Sequence, residues 1–291
     1  MKKSCLLLAL CAASLTVHAD TLRKVSDSGK ITLAYRESSI PFSYVVGTGK
    51  PVGFAVEISN AVVEEVRRQT GKPVLEIDYV PVTSANRIPL LVNGTIDLEC
   101  GSTTNNTARG KDVAFAINHF YTGTRLLVKK ASGVKNYADL AGKPVSTTTG
   151  TTNLQVLRRY DQEKKLNMQF SYGRDHAESF LLVESNRALA FGMDDILLYG
   201  LKANAANPAD YEVVGDSLQV EPYACMLRKD DPRFKALVDG VITRLMKTGE
   251  FEKLYKKWFL DAIPPKNAAL GVPMSEELLA NIKSPSDKPA Q

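Results

Sequence analysis

The sequence predicts an α/β protein, because short apolar segments with the period of a strand alternate with longer segments that have the period of a helix. The chain has 291 residues, of which 44% are apolar and 24% charged, as is typical of a globular protein with one large domain or two modest ones. The formal charge of +5 is small and dispersed, so no nucleic-acid partner is expected.

The N-terminus has the pattern of a secretory signal peptide: two lysines, an apolar run of about ten residues, and Val17-His18-Ala19. The run is too short to span a bilayer comfortably, and we expect cleavage after Ala19. Lipidation of Cys11 is the less favoured alternative, because Leu10 stands where a small residue is needed.

Cleavage would leave Cys100 and Cys225 as the cysteines of the mature chain. An even pair in an exported protein favours a disulfide between them. Two buried free thiols are the alternative.

Each predicted element depends on a local pattern. Leu75, Ile77 and Tyr79 alternate with acidic residues as in a half-buried strand, and a Gly-Lys-Pro sequence at 71–73 is a typical helix end. Asp231 followed by Pro232 is a typical helix start. The predicted strands are 31–35, 75–79, 96–100, 126–130, 144–147, 168–172 and 188–193, and the predicted helices are 54–66, 154–166, 177–187, a helix from 231, and 250–259. The polar tail around 284–287 is expected to be loosely tied.

Clusters of hydroxyl and arginine side chains follow four of the predicted strands, at 36–39, 83–87, 101–106 and 147–152. Ligands of open α/β sheets bind outside the carboxyl ends of strands, helix N-termini favour anions, and arginine forks match carboxylates. Together the clusters predict a cleft for a small, doubly anionic solute. Asp194-Asp195 could supply the counter-charge for an ammonium, or could simply cap the next helix.

The sequence contains no G-x-S-x-G, P-loop or dinucleotide motif, and no H-E-x-x-H or C-x-x-C spacing. We therefore expect no catalytic residues, no metal and no cofactor.

Five stretches carry a family resemblance: RESSIPFSY (36–44), SANRIPLLVNGTIDLECGSTTNN (84–106), GTRLLVKK (123–130), TTGTT (148–152) and CMLRKDDP (225–232). They resemble the periplasmic glutamate/aspartate-binding members of solute-binding protein family 3, and the similarity covers roughly residues 22 to 285. The resemblance implies a type II periplasmic binding protein-like fold with two α/β lobes joined by two hinge strands. Lobe 1 would comprise 20–127 and 224–291 and lobe 2 would comprise 128–223, with the hinge near Val128 and Ala224.

The resemblance also implies a ligand site. The ligand's α-carboxylate would be held by Ser102, Thr104, Arg109 and Thr152, its side-chain carboxylate by Arg36, Ser84, Arg87 and His176, and its ammonium by Asp194. We expect His176 to serve better when protonated, so that binding weakens at alkaline pH. The implied protein is a monomer in the periplasm, not an enzyme, that delivers L-glutamate or L-aspartate to an inner-membrane ABC permease.

Two alternatives stay open. One is a binding protein for another anionic amino acid or a dicarboxylate. Within the family, Tyr35, Thr147-Thr148 and the NHFYTG stretch (118–123) depart from the expected pattern and leave the choice between glutamate and aspartate undecided. The other is a periplasmic dehydratase of the cyclohexadienyl type on the same fold, with Glu37 as the nearest candidate acid.

Overall fold

The computed structural model describes residues 19–290. The predicted signal sequence up to residue 18 lies outside this range. None of the helices between these limits is long and apolar enough to cross a bilayer.

The described chain alternates strands and helices, as predicted. The helices are α1 (Thr21–Ser28), α2 (Phe54–Thr70), α3 (Arg87–Val92), α4 (Thr152–Lys164), α5 (His176–Glu184), α6 (Asp195–Asn204), α7 (Pro232–Thr248), α8 (Glu250–Tyr255) and α9 (Glu276–Lys283), with a π-helical turn over Lys256–Leu260 and 3-10 turns over Arg109–Lys111, Lys130–Ser132, Tyr137–Leu140 and Pro208–Asp210. The strands are β1 (Lys30–Tyr35), β2 (Ser38–Ser39), β3 (Ser43–Val45), β4 (Pro51–Val52), β5 (Glu76–Pro81), β6 (Leu98–Glu99), β7 (Val113–Phe115), β8 (Phe120–Lys129), β9 (Pro144–Thr148), β10 (Gln169–Gly173), β11 (Ala190–Asp194), β12 (Tyr211–Val214), β13 (Val220–Tyr223), β14 (Met226–Arg228), β15 (Ala262–Ile263) and β16 (Ala268–Ala269).

The first lobe is built on the sheet β5-β1-β6-β14-β7. Strand β1 runs parallel to β5 and β6, whereas β14 is antiparallel to its neighbours. Helix α2 ends where predicted, because Gly71 takes the left-handed conformation and its N–H caps the helix. Helix α7 begins where predicted, since the Asp231 side chain accepts a hydrogen bond from the Phe234 N–H.

The second lobe is built on the sheet β10-β9-β11-β8-β12. Strand β9 is parallel to β10 and β11, and β8 is antiparallel to β11 and β12. Its apolar core includes Leu126, Val128, Val145, Leu157 and Ala190, which are all buried. The predicted α/β class and the division into two lobes are both confirmed.

Strands β8 and β13 form the hinge between the lobes. The first part of β8 pairs with β13, from Phe120 opposite Tyr223 to Gly123 opposite Val220, while the following residues pair with β11. The expected boundary after residue 127 and the expected hinge near Val128 therefore fall inside the second sheet, and the chain crosses at 120–123 instead. Tyr121, Thr122 and Gly123 interrupt the apolar pattern, which is why periodicity placed the start of this strand at residue 126.

The predicted disulfide between Cys100 and Cys225 is present. Cys100 follows β6 and Cys225 lies between β13 and β14, so the bond ties the hinge to the first sheet. Both residues are buried.

The C-terminal tail is firmly tied, and the prediction of a loose tail is wrong. The Asn118 N–H donates to the Ser286 carbonyl at 3.0 Å, and the Ala290 N–H donates to the Asn105 carbonyl at 2.9 Å. The Asn105 side-chain amide also donates to the Asp287 carbonyl at 2.7 Å. Backbone groups of the tail thus satisfy the buried Asn105 and Asn118, an arrangement that composition alone does not reveal.

Candidate functional site

The loops that follow β1, β6, β9 and β11 meet in a cleft between the lobes, and the lobes are closed on each other. Arg36 Nη2 lies 3.3 Å from His176 Nε2, and Arg109 Nη2 donates to the Gly150 carbonyl at 3.3 Å. The approach is close at Gly150, where an added Cβ would lie 2.6 Å from Ala85 Cα. Residues far apart in sequence therefore form one polar site.

Arg36, directly after β1, is the centre of the first cluster of the cleft. Its side chain is 2% exposed, and its Nη2 donates to Ser84 Oγ at 3.0 Å. Its Nη1 is buried without a hydrogen-bond partner among residues 19–290. Burial and the nearby charge of Arg87 lower the pKa of Arg36 to about 9, which leaves it cationic at neutral pH.

Arg87 begins α3 and is equally buried. Its Nη1 donates to the Ser102 carbonyl at 3.1 Å and lies 4.0 Å from Glu99, a fully buried acid. Glu99 also accepts from Thr103 Oγ1 at 2.6 Å. Ser102 Oγ donates to Ser39 Oγ at 3.1 Å. Within the described chain, Arg87 Nε has no partner.

His176 is a neutral side chain, which corrects the expectation of a protonated one. Arg36 has only N–H donors, so its contact with His176 requires an unprotonated Nε2, and Nδ1 then donates to Thr148 Oγ1 at 3.0 Å. Burial and the charges of Arg36 and Arg87 lower the pKa of His176 well below its usual value. The predicted loss of binding at alkaline pH has no basis in this geometry.

The second cluster joins the two lobes around an acid of the hinge. Thr104 Oγ1 lies 3.2 Å from Thr152 Oγ1, and both hydroxyls donate to Glu221 Oε2, at 2.5 and 2.6 Å. Arg109 Nη1 donates to the Thr104 carbonyl at 3.0 Å. Burial lowers the pKa of Arg109 to about 10, so it too remains cationic at neutral pH.

Asp194 precedes α6 but does not cap it. Instead its carboxylate accepts from Asn153 Nδ2 at 2.8 Å and from the Tyr223 hydroxyl. Burial and the negative charge of Glu221 raise the pKa of Asp194 well above its usual value. The capping interpretation of this residue is therefore wrong, and the carboxylate faces the other polar groups of the cleft.

The hydrogen bonds above bring the predicted site residues into one region. These are Arg36, Ser84, Arg87, Ser102, Thr104, Arg109, Thr152, His176 and Asp194. Four further polar residues of the cleft were missed, namely Glu99, Asn153, Glu221 and Tyr223. A sequence signal for Glu99 and Glu221 did exist, because each is an acid inside an otherwise apolar strand segment.

Glu37, the candidate acid of a dehydratase, is exposed. The described part of the chain contains no group of acidic, histidine and cysteine side chains that could hold a metal.

A closed, polar cleft between two α/β lobes defines the class of two-lobed solute receptors. Residues 31–261 match the model of the bacterial extracellular solute-binding proteins, family 3, and the chain belongs to this family. It is 48% identical over 268 residues to the glutamate/aspartate import solute-binding protein of Escherichia coli, covering 92% of this chain and 89% of that protein. It is 49% identical over 273 residues to the L-glutamate/L-aspartate-binding protein of Pseudomonas aeruginosa, covering 93% and 90%.

Solved structures agree with this assignment. An ancestral amino acid-binding protein, a precursor of cyclohexadienyl dehydratase, matches with a TM-score of 0.70 and 27% identity, covering 82% of this chain and 99% of that one. An ancestral arginine-binding protein bound to arginine matches with a TM-score of 0.70 and 25% identity, covering 79% and 98%. The curated relatives with nearly half of their residues identical are solute-binding proteins and not enzymes.

Proposed function

We propose that this protein captures L-glutamate or L-aspartate in the cleft and delivers it to an ABC import permease of the inner membrane. The observation that carries the proposal is the distribution of charge in the cleft. Two buried guanidinium groups form one cluster and a third guanidinium lies in another, while Asp194 is a buried acid. An acidic amino acid has the matching charges, with two carboxylates and one ammonium.

Arg36 and Arg87, with Ser84 and His176, would bind the side-chain carboxylate. Arg36 Nη1 and Arg87 Nε are buried N–H groups without partners in the described chain, and each such donor costs about 1–3 kcal/mol. A carboxylate would satisfy both and would relieve the repulsion between the two guanidinium groups. His176 would serve as a positioning residue, because its unprotonated Nε2 orients Arg36.

Ser102, Thr104, Thr152 and Arg109 would bind the α-carboxylate, and Asp194 would bind the ammonium. Thr152 belongs to the second lobe and Thr104 to the first, so a carboxylate that contacts both hydroxyls favours the closed form. Binding that depends on closure is how a ligand shifts a two-lobed receptor toward one conformation.

The relatives' names support the transport role, since the Escherichia coli relative is an import protein for these two amino acids. The membership in a family of extracellular proteins supports export. We infer that the mature protein starts near Asp20, works as a monomer in the periplasm, and presents its closed, loaded form to the permease.

Isothermal titration calorimetry on residues 20–291, refolded with the disulfide intact to remove co-purified ligand, tests the proposal. We expect saturable binding of L-glutamate and L-aspartate, with L-glutamine and succinate much weaker. Arg87→Met should weaken glutamate binding by about 2–5 kcal/mol, because it leaves a desolvated carboxylate without its partner. The matched control is Arg23→Met, which removes an arginine that is 79% exposed and pairs with Asp27. A folded protein that binds neither acidic amino acid would refute the proposal, and an unchanged affinity in Arg87→Met would refute the assigned role.

A further inference from the structure

Glu221 is a buried acid on a hinge strand, and none of the roles above uses it. It lies on β13 two residues before Tyr223, so both side chains leave the strand on the same face. Tyr223 donates to Asp194 from this face. Glu221 is fully buried, so the hinge directs its carboxylate into the cleft rather than to solvent.

Among residues 19–290, only neutral groups donate hydrogen bonds to Glu221 and Asp194. Glu221 accepts from Thr104, Thr152 and Gln219, and Asp194 accepts from an asparagine and a tyrosine. In the part of the chain that the structure describes, neither acid forms an ion pair with a lysine or an arginine. The hydroxyl and amide donors satisfy the oxygens, and the nearest cations, Arg87 and Arg109, act on the pair only through space and without a direct ion pair.

Two other buried acids, Asp97 and Glu99, have cationic partners, whereas Asp231, at the start of α7, accepts from two backbone N–H groups. Asp97 is fully buried in the first lobe, where Lys24 lies at 2.8 Å and Arg228 at 3.1 Å from its carboxylate. Burying a carboxylate without a cation is costly, and the two acids of the cleft also repel each other. The pair Asp194 and Glu221 is therefore arranged to receive a cation that comes from outside the fold.

The position of Glu221 identifies that cation. Its carboxylate contacts the hydroxyls of Thr104 and Thr152, the groups assigned above to the ligand's α-carboxylate, and this step rests on the proposed function. The ammonium is attached to the same carbon as that carboxylate. Each hydroxyl has one proton, so a ligand carboxylate held by both threonines takes the hydrogen bonds that Glu221 accepts in this structure. The ammonium on the adjacent carbon replaces them at Glu221 and also binds Asp194.

We propose that Glu221 is the second acid of the ammonium site and that it selects amino acids against dicarboxylates without an ammonium. A dicarboxylate of the same length would place its negative charge beside two buried acids with no cation between them. An acidic amino acid brings the cation with it. Discrimination of this kind depends on repulsion of the wrong ligand as much as on attraction of the right one.

The test compares L-glutamate with glutarate, which has the same carbon chain without the amino group. Calorimetry at pH 7 would measure both ligands on the wild type and on Glu221→Gln, with glutarate followed by displacement where its own heat is small. We expect Glu221→Gln to weaken glutamate binding at least tenfold and to leave glutarate binding unchanged or stronger, so the preference for glutamate falls at least tenfold. Glu221→Ala is the second variant and should change the preference in the same direction.

Glu57→Gln is the matched control, because it makes the same substitution at a half-buried glutamate of α2 that pairs with Lys257 and has no assigned contact with the ligand. Its preference for glutamate over glutarate should stay within threefold of the wild type. An equal loss of both ligands in the Glu221 variants would mean that this residue only orients the two threonines, which overturns the inference. An unchanged preference would overturn it too. These results are separate from the proposed function, which the wild-type titration with glutamate decides.

Discussion

Reducing the Cys100–Cys225 disulfide should lower the stability of the first lobe by several kcal/mol. The bond closes a loop of 125 residues, and a crosslink stabilises a protein mainly by restricting the unfolded chain. The loop contains the whole second lobe, because the chain leaves the first lobe through β8 and returns through β13. The size of the effect therefore depends on whether the two lobes unfold together.

If both lobes unfold together, the full loop is released, and the chain-entropy relation gives about 5 kcal/mol. If the second lobe stays folded, its paired hinge strands hold the loop ends together, and the flexible loop shortens to about 25 residues, worth about 3.5 kcal/mol. Either value is a large part of the ~5–15 kcal/mol that stabilises a typical domain.

Urea unfolding of the oxidised and the reduced protein measures this difference. Trp258 is the only tryptophan of the chain and is buried in the first lobe, so its fluorescence reports that lobe, while circular dichroism reports both. If the fluorescence and circular dichroism transitions coincide, the lobes unfold together and we expect the larger loss of stability. If the two transitions are separate, we expect the smaller loss. A loss of less than about 1 kcal/mol, with the bond shown to be reduced, would refute the chain-entropy argument for this protein.

Three further predictions follow from buried polar groups. Burial lowers the pKa of His119 to about 3 in the folded protein, whereas in the unfolded chain this histidine takes up a proton below its usual pKa near 6.5, so the stability falls as the pH decreases. In urea titrations, His119→Phe should reduce the loss of stability between pH 7 and pH 5 by about 2 kcal/mol. An unchanged loss in this variant would contradict the argument. Because His176 is neutral in the folded protein, the dissociation constant of glutamate should change less than threefold from pH 6 to 8. A dissociation constant that rises steadily with pH would instead show that His176 binds the ligand in its protonated form. Ending the chain after Ser284 removes the hydrogen bonds from the tail to Asn105, next to Thr104, and should weaken glutamate binding about tenfold; equal affinity would show that the tail does not position this loop.

Local patterns predicted the elements whose signals are local. Gly71 and the Asp231-Pro232 pair mark helix ends through their own backbone preferences, and the structure has both ends at these residues. Helix α6 was expected only as the helix that Asp194-Asp195 could cap, and no bounds were predicted for it. Strand β13 was missed because its four residues include an acid and a proline, and its pairing with β8 is a long-range interaction.

The candidate site likewise has residues that local patterns predicted and residues that they did not. Arginine and hydroxyl clusters after strands indicated the anion-binding groups, and the resemblance supplied their individual roles. Glu221 and Glu99 were not predicted, because an acid in a strand becomes informative only when its neighbours in space are known. The protonation of His176 was predicted wrongly for the same reason: a contact with Arg36 from the other lobe determines it.

A ligand can control closure because it adds strong bonds across a cleft in which two of the side-chain contacts are weak. The side-chain contacts of Arg36 with His176 and of Arg109 with Gly150 are each 3.3 Å long, at the weak end of hydrogen bonding. Such bonds contribute about 0.5–1.5 kcal/mol each, which offsets little more than the loss of freedom on closing. A ligand that gives partners to Arg36 Nη1 and Arg87 Nε on one lobe and to Asp194 on the other adds charge-assisted bonds that only the closed form can make. The open and closed populations are then set by the ligand, because its affinity differs between the two forms.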